Sequence, residues 1–268
     1  MEFNFKDKIA VVTGGASGIG LNIAMGFARE GAKIAVCDIS VDNLANLQKI
    51  FDEKGYTLFT QQVDVGNSIQ MSSFAEAVYN HYGQIDIWVN NAGANRLRQF
   101  DELTIEDWNF VISTNLTSVF WGTHEASKYM RKNGGVILNT ASYAALMPYS
   151  KGIPYSCTKA GIVSLTRSTA GVLAPYGIRV NAILPGTTET PIIKTRLADE
   201  TYRNNLVSRI AMQRISTPEE MAKMYLVLAS DLASYITGAA YEVTGGKLCI
   251  QDIQNPWDLA NGAEDVKL

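Results

Sequence analysis

Tyr155 and Lys159 stand four residues apart in the stretch YSCTK. On a helix, positions i and i+4 share one face, so both side chains point the same way. A free phenol has a pKa of about 10, too high for an efficient base at neutral pH. A neighbouring ammonium favours the phenolate and brings the hydroxyl closer to proton-transfer use. The pair by itself is common on helix surfaces, so its weight rests on the rest of the chain. Cys157 lies between the two and has neither a histidine nor a second cysteine beside it, so it reads as a packing residue.

A second chemistry-bearing stretch is TGGASGIG, Thr13 to Gly20, between a strand pattern at Lys8–Gly14 and a helix pattern from about Gly18 to Glu30. Its course runs from Gly14 through Ser17, Gly18 and Ile19 to Gly20. The glycines let the backbone turn tightly and approach a diphosphate. The helix N-terminus adds free N–H groups and the positive end of its dipole. Asp38 closes the next strand, 18 residues beyond Gly20, where a carboxylate accepts from the adenosine ribose hydroxyls. The same charge repels a 2′-phosphate, and Ile39 and Ser40 supply no compensating cation. The expected cofactor is NAD, with NADP the less favoured.

These elements need a scaffold that brings strand ends together. Short β-branched runs at Lys33–Asp38, Thr57–Val65, 85–93, 135–142, 178–186 and 239–246 follow the first strand. Helix patterns at Ser68–Tyr82, Ile105–Arg131, Tyr155–Pro175 and Pro218–Ser230 separate them. This alternation predicts an α/β protein with a parallel sheet covered on both faces. No linker, repeat or low-complexity block interrupts residues 1–248, which read as one domain with a lid at about 187–215. Residues 249–268 turn polar and acidic around Trp257 and read as an arm or frayed tail.

Composition narrows the class. In 268 residues, 47% are hydrophobic and 18% charged, the profile of a globular protein with a sizeable core. The formal charge of −3 gives no pull toward nucleic acid or an anionic membrane. No apolar run reaches membrane-spanning length, and the N-terminus lacks a secretory pattern. Three scattered cysteines (Cys37, Cys157, Cys249) and two histidines (His81, His124) offer neither a disulfide framework nor a metal cluster. The expected setting is the cytoplasm.

Together the motifs resemble the short-chain dehydrogenase/reductase family. TGGASGIG is similar to its cofactor turn, and Asp64–Val65 to its adenine-contacting pair. Asn90 to Gly93 matches its NNAG motif, with Asn91, Ala92 and Gly93 at the cofactor, and Asn115 falls in the next helix. Ser142 follows the fifth strand, Tyr155 and Lys159 fill YxxxK, and Pro185, Gly186, Thr188 and Thr190 follow the sixth strand. The resemblance spans residues 6 to 248 in family order.

It implies a single-domain Rossmann fold with a seven-stranded parallel sheet, and a homotetramer. It also implies NAD-dependent hydride transfer between a secondary alcohol and a ketone. By resemblance Ser142 holds the substrate oxygen, Tyr155 exchanges the proton, Lys159 also holds the nicotinamide ribose, and Asn115 completes a water-bridged relay to Lys159.

The substrate is read from the variable segments. Arg96 and Arg98, after NNAG, suit a grip on a carboxylate or phosphate. NNAG followed by Arg, with Trp108 beyond, is similar to the gluconate 5-dehydrogenase and 2-deoxy-gluconate 3-dehydrogenase branch. That branch usually carries a second basic residue where Leu97 stands. A sugar, polyol or sugar acid is the expected substrate. Leu146, Met147 and Tyr149 could instead line an apolar pocket for a hydroxysteroid. A 3-oxoacyl thioester and a non-catalytic NAD sensor are the other readings.

Overall fold

The computed structural model describes residues 3–261. The chain runs β1 (Ile9–Thr13), α1 (Gly18–Arg29), β2 (Lys33–Asp38), α2 (Val41–Lys54), β3 (Leu58–Gln62), α3 (Ser68–Tyr82) and β4 (Ile87–Asn90). It continues through α4 (Ile105–Ile112), α5 (Ser118–Met130), β5 (Gly135–Thr140), α6 (Ile153–Leu173) and β6 (Ile178–Pro185). The last part holds α7 (Pro191–Lys194), α8 (Glu200–Val207), α9 (Pro218–Ala229), β7 (Ala240–Val243) and α10 (Gln254–Ala260). The seven strands form one sheet in the order β3-β2-β1-β4-β5-β6-β7, and every neighbouring pair is parallel.

Parallel strands need helical crossovers, and these cover both faces of the sheet. Alternate residues of each strand therefore enter different cores. Ala10, Val12, Ile34 and Val36 pack with Phe27 of α1 and Leu226 of α9. Ile9, Val11, Ala35 and Cys37 pack on the other side with Phe74 of α3 and Met130 of α5. Each large apolar side chain so buried contributes about 1.5–3 kcal/mol, which is why these strands read as unbroken apolar runs.

A polar ladder crosses the middle of this sheet. Asn90 and Asn139 are register partners on β4 and β5, and the Asn90 amide donates to Asn139 Oδ1 at 2.8 Å. Trp88 Nε1 donates to Asn90 Oδ1 at 2.8 Å, and Asn139 Nδ2 donates to Thr166 Oγ1 at 3.0 Å. All four side chains are buried, and each amide finds its partners inside the ladder.

The chain order matters most at one place. β1, β2 and β3 proceed outward to one edge, and β4 then returns to the other side of β1. The reversal opens a crevice beyond the carboxyl ends of β1 and β4, where ligands bind in sheets of this kind.

Three features sharpen the sequence reading. The helix expected over Ile105–Arg131 is divided by a π-turn at Ser113–Thr117, with α4 before it and α5 after. α2 follows β2, capped by Ser40, whose Oγ accepts from Asn43 N at 3.2 Å, and closed by Gly55 at φ 67°. Part of the polar tail forms α10, and Trp257 Nε1 donates to the Ala211 carbonyl at 2.7 Å, near the end of the segment expected to form a lid. Residues 262–268 of that tail lie outside the described residues.

Candidate active site

The glycine turn after β1 is shaped for close approach. Gly14 and Gly18 adopt φ 60° and 55°, the left-handed region that side chains disfavour. A Cβ on Gly14 would sit 2.8 Å from Ala92 Cα, and one on Gly20 would collide with the Gly14 carbonyl oxygen. Ser17 occupies the cap position of α1, yet its side chain bonds none of the first-turn N–H groups, and that turn holds no acidic residue. The open donors and the positive helix end therefore face the crevice, a match to a diphosphate.

Thr13 joins this turn to the one after β4. Its Oγ1 accepts from Asn91 N at 3.0 Å and Ala92 N at 3.1 Å. In return Asn91 Nδ2 donates to the carbonyls of Thr13 and Gly14, both at 3.1 Å. The sequence reading did not single out Thr13; a buried hydroxyl at a strand end beside the glycines is the clue it left.

The other cofactor candidates lie along the same rim. Asp38 ends β2, and its carboxylate accepts from Ala16 N at 3.3 Å and Ser40 N at 3.0 Å. Asp64 Oδ1 accepts from Gly66 N at 2.9 Å, and Val65 is buried beside it. Pro185 ends β6, and Gly186 N donates to the Val243 carbonyl at 2.9 Å. Thr188 pairs with the Ser216 hydroxyl at 3.0 Å. Thr190 caps α7, and its Cγ2 would be 3.6 Å from a Cβ on Gly18, so this segment closes over the glycine turn. A cradle of glycines, an unblocked helix end and a carboxylate at the second strand fit a nicotinamide dinucleotide.

The candidate reacting groups stand at the ends of β5 and α6. Ser142 follows β5, and its Oγ accepts from Ala144 N at 3.1 Å. Tyr155 lies in the first turn of α6, with Pro154 before it presetting the helical φ. Lys159 is buried one turn later, with Nζ 5.3 Å from the centre of the Tyr155 ring. Its hydrogen bond goes elsewhere, to the Thr140 carbonyl at 2.8 Å.

Burial dominates the electrostatics of the pair in the chain by itself. Burial holds the Tyr155 hydroxyl above its usual range, and the hydrogen bond with Ser142 is what opposes it. Burial also lowers Lys159 to about 7. Both groups are shifted toward their neutral forms because the same desolvation penalises phenolate and ammonium alike.

Asn115 sits in the π-turn, and its carboxamide is committed to backbone. Nδ2 donates to the Ala94 carbonyl at 2.8 Å and the Val111 carbonyl at 2.9 Å, while Oδ1 accepts from Ala94 N at 3.0 Å. It thereby fixes the segment after Gly93, where an added Cβ would come within 2.7 Å of Asn115 Oδ1.

The substrate candidates separate. Arg96 lays its guanidinium 4.6 Å over the Phe110 ring, and Arg98 pairs with Asp107 at 3.1 Å. Leu146 and Met147 are exposed, at 54% and 41%. Tyr149 accepts from Asn95 Nδ2 at 2.5 Å, and its ring centre is 6.3 Å from that of Tyr155.

A family model described as "Enoyl-(Acyl carrier protein) reductase" matches residues 14–247, from the first glycine of the turn to the residue after the last. The chain belongs to the short-chain dehydrogenase/reductase family. Two curated members resemble it over most of its length. The 3-oxoacyl-(acyl-carrier-protein) reductase of Thermotoga maritima is 38% identical, covering 89% of this chain and 97% of that protein. The 3beta-hydroxysteroid dehydrogenase 1 of Eggerthella lenta is 37% identical, covering 91% and 94%. Among solved structures, L-sorbose reductase from Gluconobacter frateurii, complexed with NADPH and L-sorbose, superposes with a TM-score of 0.88. It is 32% identical, with 94% of this chain and 100% of that one covered. The chain is thus an oxidoreductase of this family. No helix among the described residues is long and apolar enough to cross a membrane.

Proposed function

We propose that the protein interconverts a secondary alcohol and a ketone, with NAD as cofactor and a sugar, polyol or sugar acid as substrate. The observation that carries the reading is the convergence of Ser142, Tyr155 and Lys159 beside an open glycine turn. When bound, NAD would supply the hydride acceptor for the substrate carbon, and a positive charge that favours the phenolate. Ser142 hydrogen-bonds the substrate oxygen and fixes it against Tyr155. Tyr155 removes the hydroxyl proton in oxidation and returns it in reduction. Lys159 would hold the ribose and supply positive charge, while Asn115 sets the Gly93 segment that frames the pocket. A protein with all four residues in place has little reason to be only an NAD sensor.

Asp38 supports NAD over NADP, since its carboxylate stands where a 2′-phosphate would have to lie. The sorbose reductase, bound to NADPH, shows that relatives take the other cofactor. The apolar exposure of Leu146 and Met147 supports a second reading, a hydroxysteroid substrate. Exposed Phe120 on α5 and Val172 on α6 offer apolar surface for the homotetramer that the family resemblance implies.

The test is turnover of sugar acids, neutral polyols and hydroxysteroids with NAD and with NADP, followed by absorbance of reduced nicotinamide. Turnover of sugars or sugar acids with NAD supports the reading. Turnover confined to steroids moves the substrate assignment to Leu146 and Met147.

A further inference from the structure

Lys247 follows the last glycine pair of the fold and is 6% exposed. A lysine so buried ordinarily has a carboxylate partner. Among the described residues Lys247 forms no ion pair, and its ammonium instead lies 4.9 Å over the Tyr143 ring. Tyr143 is the residue after Ser142, so this charge sits one side chain away from the reacting groups. Burial lowers the Lys247 pKa, and Arg209 lowers it further.

Arg209 reaches this place through the lid. Met212 N donates to the Gly245 carbonyl at 3.0 Å, and a Cβ on Gly246 would lie 2.7 Å from Ala211 Cβ. The end of the lid is thus zipped to the turn that carries Lys247. Arg209 is exposed, and it acts on Tyr143 as well, drawing its hydroxyl down against burial and against Tyr202 of α8. Lys247 thus lies over Tyr143, and Arg209 stands on the segment joined to the same turn. An open groove of about 550 Å³ passes Lys247, with Leu146 and Met147 on its wall. Glu242 also lines it but makes no contact with the ammonium that counts as an ion pair.

We propose that Lys247, backed by Arg209, is the subsite for an anionic group of the substrate. The substrate is then a hydroxy acid or a phosphorylated hydroxy compound whose charged end lies beyond Tyr143. This deepens the proposed function and rests on the reading that Ser142 and Tyr155 handle the alcohol carbon. It also moves the anion grip from Arg96, which is stacked on Phe110, to Lys247.

The test is calorimetric titration of the NAD-saturated protein with three probes on one carbon skeleton: D-gluconate, D-glucitol 6-phosphate and D-glucitol. At least one anion should bind tenfold or more tightly than glucitol. Lys247→Met should weaken that anion by roughly ten- to hundredfold, the usual range for losing a charge-assisted contact. Lys247→Arg should restore most of it, and neither change should move glucitol or NAD affinity. Preference for gluconate identifies a carboxylate, and preference for the ester a phosphate. If Lys247→Met no longer binds NAD, the exposed Arg209→Gln serves, with a smaller loss expected. Anions that bind no better than glucitol, or that ignore both substitutions, overturn the subsite. Turnover separates the two readings: anion discrimination without oxidation of any alcohol removes the dehydrogenase reading alone.

Discussion

The Lys159 ammonium lies 5.3 Å from the centre of the Tyr155 ring and sends its hydrogen bond past it, to the carbonyl of Thr140. The lysine is therefore anchored by the end of β5, beside the phenol ring rather than bonded to its hydroxyl. Its burial sets a pH dependence. Lys159 titrates near 7 in the folded chain, well below its ordinary value, so the unfolded chain binds more protons above that point. Stability then rises with pH from about 7 toward 10, by up to about 1.4 kcal/mol per unit. Denaturant melts of wild type and Lys159→Met across that range should diverge, with the wild type gaining. Parallel curves would mean that the amine is solvated after all.

Tyr155→Phe keeps the ring and removes the exchanging proton. Turnover should fall by roughly 10²–10⁴-fold, the usual range for a lost acid–base group, while NAD affinity stays within about twofold. Steady-state rates beside a cofactor titration check both halves. Residual activity near wild type would reassign the proton to another group.

Asp38→Asn leaves the shape and takes the charge from the end of β2. Relative use of NADP over NAD, compared as kcat/KM, should rise about tenfold or more once the repulsion is gone. An unchanged ratio would remove Asp38 from cofactor choice and leave it as a partner of the Ala16 and Ser40 amides.

Gly20→Ala tests the cradle. The new Cβ would press on the Gly14 carbonyl and lie 2.5 Å from Asn91 Nδ2, the atom that ties the two turns together. Overpacking of this kind costs about 1–3 kcal/mol. Thermal melts should show the loss, and NAD binding should weaken with it. A variant as stable and as tightly binding as wild type would show that the turn relaxes freely.

Much of the frame was legible because the signals are local. Apolar runs of strand length, glycines at a turn and a tyrosine four residues before a lysine need no knowledge of distant contacts. What escaped depends on partners far along the chain. Thr13 is a strand-end threonine until Asn91 and Ala92 arrive 78 and 79 residues later. Asn115 is identified by resemblance, but its bonds to Ala94, 21 residues back, come only with the π-turn. Lys247 is one more lysine near a polar tail until the fold buries it over Tyr143. Spacing likewise gives the proximity of Lys159 to Tyr155, but not the burial that shifts both groups.

The buried amides of Asn90 and Asn139 bear on how the sheet is assembled. They meet at the seam between β4 and β5, which joins the β3-β2-β1-β4 half to the β5-β6-β7 half. Two buried amides penalise a slipped register further, because a shift of one residue leaves each without a partner in a dry interior. Asn90 and Asn139 thus work as a key that admits a single alignment of the halves. A misaligned β-hydrophobic seam would be penalised before the crevice above it could form.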